Sequence, residues 1–184
     1  MTYNDTELIG QILDGSTDAF DILMQRYQNL VYTIGFTYGK SQDNAMDITQ
    51  NVFMKAYQKL PTFRADSSFK SWLSRIARNE GINWARNNKG EVYLDVMENR
   101  DDLFTDGNPS QEDELLAREH RAELLKSLFS LNTKYRLAVV LRYYRDMPIR
   151  EIAATMKCSE GVVKNMLFRS LQRLRKQLNP NRSS

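Results

Sequence analysis

Cysteine and histidine are scarce in this sequence, since Cys158 and His120 are the only residues of their types among 184. A lone cysteine cannot form an internal disulfide, which is typical of a chain kept in a reducing compartment. No spacing of cysteine, histidine and carboxylate residues indicates a metal site, and no glycine-rich phosphate loop or nucleophile motif occurs. We therefore expect no metal, no cofactor and no enzymatic activity, with His120 on a charged helix surface and Cys158 as a small packed side chain.

Glycine and proline are few as well, with eight and four residues respectively. Apolar residues recur at intervals of three and four along most of the chain, and no segment shows the alternation of a convincing strand. No apolar run approaches the roughly 20 residues that cross a bilayer. The first ten residues, MTYNDTELIG, also lack the basic and apolar regions of an export signal. We predict an all-α, cytoplasmic protein without membrane insertion.

The charged residues are nearly balanced, with 26 Lys and Arg against 23 Asp and Glu, so the net charge of +3 indicates no partner. Their distribution is more informative. The segment 91–114, EVYLDVMENRDDLFTDGNPSQEDE, holds nine acidic residues and one arginine, and its Gly-Asn-Pro sequence interrupts any helical period. We predict two small helical domains, 1–88 and 113–184, joined by an acidic flexible linker over 89–112.

Four helices are predicted in the first domain. Asp5 is expected to cap the first helix, which ends at Gly15, and Ser16 to cap the second. The third helix runs over about 41–60, and the fourth begins near residue 67 or 68 and ends around residue 87. The second helix carries a broad apolar stripe that predicts its buried face: Phe20, Leu23, Met24, Tyr27, Leu30, Val31 and Ile34.

The second domain ends in the outline of a helix-turn-helix, MPIREIAATM followed by SEGVVKNMLFRSLQRLRKQL. Ser159 is expected to cap the longer helix. The predicted inner stripe of that helix contains Val163, Met166, Leu167, Leu171, Leu174 and Leu178. The opposite face carries Lys164, Asn165, Phe168, Arg169, Gln172 and Lys176.

This opposite face suits a DNA major groove. Lysine and arginine reach guanine edges or phosphates, asparagine and glutamine pair with adenine, and a phenylalanine contacts a thymine methyl. Residues 142–176 hold nine Lys and Arg against three Asp and Glu, which is typical of a surface that binds nucleic acid. A solvated amphipathic helix is the alternative, but it does not explain an exposed phenylalanine in the middle of the face.

A second nucleic-acid surface is predicted in the stretch 63–86, FRADSSFKSWLSRIARNEGINWAR. Its helix places most aromatic residues on one side, where Trp84 is expected in the core and Trp72 at its edge, and it places arginines on the other side. Asparagine amides beside those arginines can read base edges, and a polar loop leads into the helix N-terminus. Such a surface can hold an unstacked base and bind single-stranded phosphates.

The motifs together resemble a known family. The segments DNAMDITQNVFMKAY, FRADSSFKSWLSRIARN and LNTKYRLAVVLRYYRDMPIREIAATMKCSEGVVKNMLFRSLQRLRKQL are similar, in this order, to the extracytoplasmic-function (ECF) sigma factors, the smallest members of the sigma-70 family. The resemblance covers nearly the whole chain outside the linker. It implies that residues 5–88 bind the minus-ten promoter element and residues 113–178 the minus-thirty-five element.

The resemblance implies three sets of site residues. One set would dock on the clamp helices of the largest subunit of core RNA polymerase: Asp43, Asp47, Gln50, Asn51 and Met54. A second would capture a base and read the minus-ten element: Phe63, Arg64, Asp66, Ser67, Phe69, Trp72, Arg75, Arg78, Asn79 and Asn83. The third would bind the minus-thirty-five element: Lys164, Asn165, Phe168, Arg169 and Gln172.

The partners implied by the resemblance are bacterial core RNA polymerase, including the flap of its second-largest subunit, and promoter DNA. An anti-sigma factor that restrains the protein is also implied. We expect the free chain to be a monomer, because no apolar seam is left over once the core stripes are assigned.

Two positions of the polymerase-binding helix depart from the family pattern. Met46 and Asn51 stand where relatives usually place glutamate, so this helix is less acidic, and weaker docking follows if charge steers it. One hypothesis is that phosphorylation of Thr49 adds about two negative charges. The alternative is an ordinary helical threonine. Pro148 stands where a capping serine is frequent, which a first helical turn tolerates.

A second class of function is also compatible with a helix-turn-helix. The chain could be a stand-alone transcription regulator whose N-terminal helices bind a ligand or form a dimer. Such a regulator binds duplex DNA tightly without polymerase, commonly as a symmetric dimer. The polar motif at 43–57 and the strand-holding stretch at 63–86 favour the sigma factor.

Overall fold

The computed structural model describes residues 3–64, 66–88 and 121–178. The chain divides into two compact units, one built mainly from the helices up to residue 88 and the other mainly from those after residue 121. All regular elements in the described ranges are helices, which confirms the predicted all-α fold. None of the described helices combines the length and the apolar character that a membrane span requires.

The first unit contains α1 (Asp5–Leu13), α2 (Thr17–Gly39), α3 (Gln42–Lys59), a short 3-10 turn (Leu60–Thr62) and α4 (Phe69–Asn87). The long α2 packs against α1, α3 and α4, and α3 also packs against α4. Their shared core is built from side chains that recur at helical spacing: Leu8, Leu23, Val31, Ile34, Ile48, Val52, Leu73 and Ala77. The helix boundaries predicted for α3 and α4 agree with the structure to within two residues.

The cap of α1 differs from the prediction. Asn4, and not Asp5, is the N-cap: its Oδ1 accepts from the backbone N of Glu7 at 2.9 Å, and Oε2 of Glu7 accepts from the backbone N of Asn4 at 2.8 Å. This reciprocal pairing needs a glutamate three residues after the cap, which Asn4 has and Asp5 lacks. Asp5 instead bonds with Arg26 and Tyr27 of α2. The helix also ends at Leu13, two residues before the predicted end.

Serine side chains cap the other helices of this unit. Ser16, as predicted, accepts from the backbone N of Ala19 at 3.3 Å. Ser68 accepts from the backbone N of Ser71 at 3.2 Å and so starts α4. These bonds satisfy backbone groups that a helix leaves unpaired in its first turn.

A glycine brings α4 close to α2. A Cβ atom added at Gly81 of α4 would lie 2.3 Å from Cδ2 of Tyr38, which is itself buried in α2. Since real Cβ atoms essentially never come this close, the two helices can adopt this spacing only with glycine at residue 81. The position of α4, which carries the predicted promoter-reading residues, therefore depends on this contact.

The second unit contains α5, described over 121–129, followed by α6 (Thr133–Tyr143), α7 (Ile149–Met156) and α8 (Glu160–Leu178). The turn between α5 and α6 is held by Arg136, a buried side chain whose Nη1 donates to the carbonyl oxygens of Phe129 and Leu131 at 3.1 and 3.3 Å. Its guanidinium also lies 4.4 Å from the centre of the Phe129 ring. A single arginine thus satisfies the carbonyl groups at the end of α5.

The predicted helix-turn-helix is present as α7, a tight turn and α8. Lys157 in the turn has a positive φ of 55°, and the Cys158 backbone N donates to the Ala153 carbonyl at 3.1 Å. Ser159 caps α8, as predicted, by accepting from the backbone N of Val162 at 3.3 Å. Pro148 is accommodated at the start of α7, where its carbonyl accepts from the backbone N of Ile152 at 3.1 Å.

Candidate functional site

The outer face of α3 carries all of the residues predicted to dock on polymerase. The inner positions Ala45, Ile48, Val52 and Ala56 are buried, which turns the intervening positions toward solvent. The exposed positions include the whole predicted set: Asp43, Asp47, Gln50, Asn51 and Met54. The helix therefore presents polar and apolar side chains along one solvent-facing strip.

An apolar groove lies beside this face, between α2 and α3, with a volume of about 890 Å³. Aromatic and methionine side chains form much of its lining: Phe20, Met24, Phe53, Met54 and Tyr57. Among the described residues that line it there is no Lys or Arg, and the charged one is Asp21. The ring centres of Phe20 and Tyr57 are 4.9 Å apart, so an edge-to-face pair joins the two sides of the groove.

The sequence pattern predicts α2 correctly but does not predict this groove. Phe20 and Met24 belong to the apolar stripe of α2, yet both are only half-buried and face the groove. The width of the stripe is no signal of a groove, because α2 packs against α1, α3 and α4. The signal that could have indicated it lies on α3, where Met54 and Tyr57 stand outside the buried positions of the helix.

Thr49 does not fit the phosphorylation hypothesis. Its side chain is buried in α3, and its Oγ1 donates to the carbonyl oxygen of Ala45 at 2.7 Å. A phosphate on Oγ1 would replace the proton that makes this bond, although Thr49 also borders the groove between α2 and α3. The structure therefore supports the alternative, a helical threonine that bonds to its own backbone.

The predicted strand-holding stretch is organised by three aromatic rings. Phe63 lies 5.7 Å from Phe69 and 5.3 Å from Trp72, and Phe69 lies 5.4 Å from Trp72, measured between ring centres. Phe69 also packs on Tyr27 of α2 and is only 5% exposed, so its ring supports the cluster from inside the unit and is not presented at the surface. Phe63 and Trp72 remain half-buried, which leaves part of each ring at the surface.

A hydrogen bond ties the same loop to α4. Nη2 of Arg75 donates to Oγ of Ser67 at 3.0 Å, so two of the predicted site residues hold each other. Arg64 and Asp66 in the loop are exposed, as is Asn79 on α4. Phe63 and Ser67 are therefore each held against α4, and the exposed Arg64 and Asp66 are their neighbours in sequence.

The remaining part of the α4 face is less open. Arg78 and Asn83 are half-buried, and Nη2 of Arg86 donates to Oδ1 of Asn83 at 3.4 Å. Trp84, predicted in the core, is also half-buried. The tryptophan lies in the last turn of α4, beyond Gly81, the last buried residue of the helix.

The outer face of α8 presents the whole set predicted to bind a major groove. All five of these side chains are exposed: Lys164, Asn165, Phe168, Arg169 and Gln172. Phe168 is 62% exposed, whereas Val163 and Leu167 of the same helix are buried. A large apolar side chain in the middle of a basic, solvent-facing strip costs hydration free energy unless a partner covers it.

Comparison with known proteins identifies the family. The sigma-70 region 2 family model matches residues 23–91, and the sigma-70 region 4 model matches residues 121–174. The ECF RNA polymerase sigma-E factor of Escherichia coli strain K12 is 31% identical over 184 residues, which cover 96% of this chain and 95% of that protein. The chain belongs to the ECF sigma factors of the sigma-70 family. The resemblance stated from the sequence motifs is confirmed.

Other relatives of this sigma factor agree. The RNA polymerase sigma-H factor of Pseudomonas aeruginosa strain PAO1 is 31% identical over 186 residues, covering 96% of this chain and 94% of that protein. Among solved structures, CnrH in complex with the cytosolic domain of CnrY has a TM-score of 0.69 at 23% identity, covering 95% and 96% of the two chains, and shares the fold.

A second solved relative is the sigma factor RpoE of Bartonella quintana, determined in complex with the anti-sigma factor NepR. It aligns with this sigma factor at a TM-score of 0.67 and 25% identity, over 88% of this chain and 98% of that one. The region 2 match contains the outer face of α3, the strand-holding stretch and the groove residues from Met24 onward, whereas the region 4 match contains most of α8.

Proposed function

We propose that this sigma factor binds bacterial core RNA polymerase and directs promoter-specific initiation at promoters with minus-ten and minus-thirty-five elements. The observation that carries the proposal is the outer face of α3. Its predicted docking residues are solvent-exposed beside an apolar groove, although the opposite face of the helix belongs to the core. A ligand-binding or dimerising regulator would use the groove alone, whereas a polymerase subunit would use the groove together with the polar motif beside it.

Docking on the clamp helices of the largest polymerase subunit would combine two kinds of contact. Asp47 and Gln50 offer a carboxylate and an amide to basic and polar partners, and Met54 extends the contact into the groove. Charged groups on such an interface steer association, while covered apolar area supplies most of the affinity. The less acidic character of this helix is therefore compensated by methionine and aromatic surface.

Promoter opening would use the loop that precedes α4. Arg64 and Asp66 are exposed there, and Asn79 lies on the adjacent helix surface. We propose that a base of the opened strand enters between these polar groups and stacks on the exposed parts of Phe63 and Trp72. Because the loop is already held by ring packing, little ordering entropy is lost when the strand binds.

Recognition of the minus-thirty-five element would use α8. Lys164 and Arg169 can bond to guanine edges or phosphates, Asn165 and Gln172 can pair with adenine, and Phe168 can cover a thymine methyl. The flap of the second-largest polymerase subunit would bind the second domain and hold it over the minus-thirty-five element. Both activities are those of a binding subunit, so we propose that the protein catalyses no reaction itself.

The acidic linker would connect the two promoter contacts. We propose domains 1–88 and 113–184 joined by residues 89–112, a segment outside the described residues. A free coil of that length spans about 25 to 30 Å, whereas the two promoter elements lie about 50 Å apart. The linker must therefore be drawn out, and its charge suits basic polymerase channels meant for nucleic acid. We expect neutralisation of Asp101, Asp102 and Asp106 to lower the yield of initiated transcripts. An unchanged yield would mean that the acidic residues serve only to keep the protein soluble.

Regulation by an anti-sigma factor is part of the proposal. CnrH and the Bartonella quintana RpoE were each solved with a second protein, and NepR is described as an anti-sigma factor. We propose that this sigma factor is a cytoplasmic monomer when free and that a comparable inhibitor restrains it. Affinity purification from its host should recover such an inhibitor, and recovery of polymerase subunits alone would argue against it.

The test of polymerase binding is co-elution with purified core RNA polymerase in size-exclusion chromatography. Wild type should co-elute, and Asp47→Lys should bind more weakly because it reverses a charge on the docking face. Asp14→Lys is the matched control, since it makes the same charge change at an exposed residue that follows α1. Equal weakening by both substitutions would mean that net charge, and not the docking face, governs the contact.

The same samples decide the alternative function. A stand-alone regulator would leave polymerase unbound and would bind a duplex DNA fragment specifically by itself. We expect the opposite pattern, in which the free chain binds duplex DNA weakly and the complex with polymerase binds it specifically.

A further inference from the structure

An ion pair links the two helices that carry the proposed polymerase and promoter contacts. Nζ of Lys55 on α3 lies 2.6 Å from Oε2 of Glu80 on α4. The Glu80 side chain is only 14% exposed. The Lys55 side chain is 42% exposed, so the pair joins the two helices with its carboxylate covered and its ammonium partly in water.

The positions of the two residues are informative. Lys55 follows Met54 and lies one helical turn after Asn51, so it borders the docking face of α3. Glu80 follows Asn79 and lies three residues before Asn83, so it borders the proposed promoter-reading face of α4. One hydrogen-bonded contact thus connects the edges of both functional faces.

The chemistry of this contact differs from that of the surrounding core. The inner positions of the two helices are small or apolar, such as Val52, Ala56 and Ala77, and apolar contacts are non-directional. A charge-assisted hydrogen bond has a defined length and direction. It can therefore select one rotation and register of α4 against α3 from several that the apolar core would accept.

The sign of the charge also matters. A carboxylate beside a face that meets DNA phosphates would repel the strand if it were unpaired. Lys55 neutralises Glu80 from the side of α3, so Glu80 adds no unpaired negative charge beside the arginines of the stretch. A glutamate is thus tolerated at this position because of its partner.

We propose that Lys55 and Glu80 are positioning residues that align the promoter-reading face of α4 with the polymerase-docking face of α3. Polymerase that binds α3 then presents the loop and α4 to the opened strand in a single orientation. This inference rests on the proposed function, and it adds that the two faces are coupled through one polar contact.

The test separates binding to polymerase from opening of the promoter. Full-length wild type, Lys55→Met, Glu80→Gln, the double variant and Lys55→Arg are each bound to core polymerase at saturating concentration. Core affinity is measured by titration, and opening is measured as permanganate reactivity of promoter thymines. Promoter fragments are those that the wild-type complex selects from a randomised DNA library.

We expect core affinity within about twofold of wild type, and open-complex yield lowered about fivefold by each single substitution and by the double variant. Lys55→Arg should keep most of the yield because it retains the charge and a donor. Recovery in the double variant would overturn the proposal, because it would show that an unpaired charge, and not loss of alignment, causes the defect.

Asn4→Ala is the control for a merely structural role. It removes the side-chain cap of α1, in which Oδ1 of Asn4 accepts from the backbone N of Glu7 at 2.9 Å. Urea unfolding should show lower stability for this variant without a change in opening at saturation. If wild type binds core polymerase and the Lys55 and Glu80 variants open the promoter normally, this inference alone is overturned. If wild type does not bind core polymerase, the proposed function is overturned and the inference with it.

Discussion

Replacement of Met54 by alanine should weaken the binding of core polymerase without destabilising the fold. Met54 is 59% exposed and lines the groove between α2 and α3. Full burial of a methionine side chain contributes about 1.5 to 3 kcal/mol. If polymerase covers the exposed part, that part contributes about 1 to 2 kcal/mol, of which alanine retains a fraction. We therefore expect Kd to rise about fivefold to tenfold.

Ile22→Ala is the matched control for this prediction. Ile22 lies on α2, outside the polymerase-binding motif, and is 42% exposed, but it is not among the residues that line the groove. Its replacement removes a similar apolar area at a different place, so we expect less than a twofold change in Kd. Both residues are solvent-exposed, so each variant should unfold within about 0.5 kcal/mol of wild type in urea.

The assay is fluorescence anisotropy of the labelled sigma factor titrated with core polymerase at several salt concentrations. Salt screens charged contacts but barely affects apolar burial, so the ratio of variant to wild-type Kd should stay constant for Met54→Ala. For Asp47→Asn the ratio should fall as salt rises. Equal effects of Met54→Ala and Ile22→Ala, or a ratio for Met54→Ala that falls with salt, would refute the role assigned to the groove.

Two further predictions concern the recognition helix and the core of the first unit. Phe168→Ala should lower the affinity of the polymerase complex for its selected promoter about fivefold to tenfold, because it removes apolar contact at the major groove. Tyr143→Ala is its control, since it removes an exposed aromatic side chain from α6 and should change that affinity little. Gly81→Ala should lower the free energy of unfolding by about 1 to 3 kcal/mol, since its methyl group would collide with Tyr38. Gly10→Ala, with open space around the position, should raise it by about 0.5 to 1 kcal/mol.

Filter binding to promoter DNA and urea denaturation are the respective measurements. Equal losses of promoter affinity in the Phe168 and Tyr143 variants would show that exposed aromatic area in general, and not the outer face of α8, contributes to promoter binding. A Gly81 variant as stable as the Gly10 variant would show that α2 and α4 can separate without cost. The first pair compares removal of an exposed aromatic side chain on α8 and on α6. The second compares Gly→Ala in a crowded and in an open position.

The predictions that depend on local pattern agree best with the structure. Helical periodicity and serine caps place α2, α3, α4 and α8 to within two residues, because the signals that start and stop a helix lie within one or two turns of its ends. The prediction that Asp5 caps α1 is wrong, but the correct signal is also local. Glu7 stands three residues after Asn4 and pairs with it, which the sequence alone could have indicated.

The exposure of single side chains is harder to predict. Phe63, Phe69 and Trp72 form one cluster, and the sequence does not indicate that Phe69 is the buried member, because Tyr27 of another helix covers it. Thr49 is similar, since its inward orientation follows from how α3 packs on its neighbours. Burial depends on residues that are distant in sequence, and helical period constrains it only to within a broad face.

The sequence by itself determined that the chain is helical, that its second domain contains a helix-turn-helix and that its motifs resemble those of ECF sigma factors. These properties follow from the spacing of apolar residues and from residue type, which do not depend on tertiary packing. The tertiary structure alone decided that α2 and α3 leave an apolar groove and that Lys55 meets Glu80 across 25 positions of sequence. Both arise where separate helices meet, and the angle and distance between packed helices depend on side chains from each of them at once.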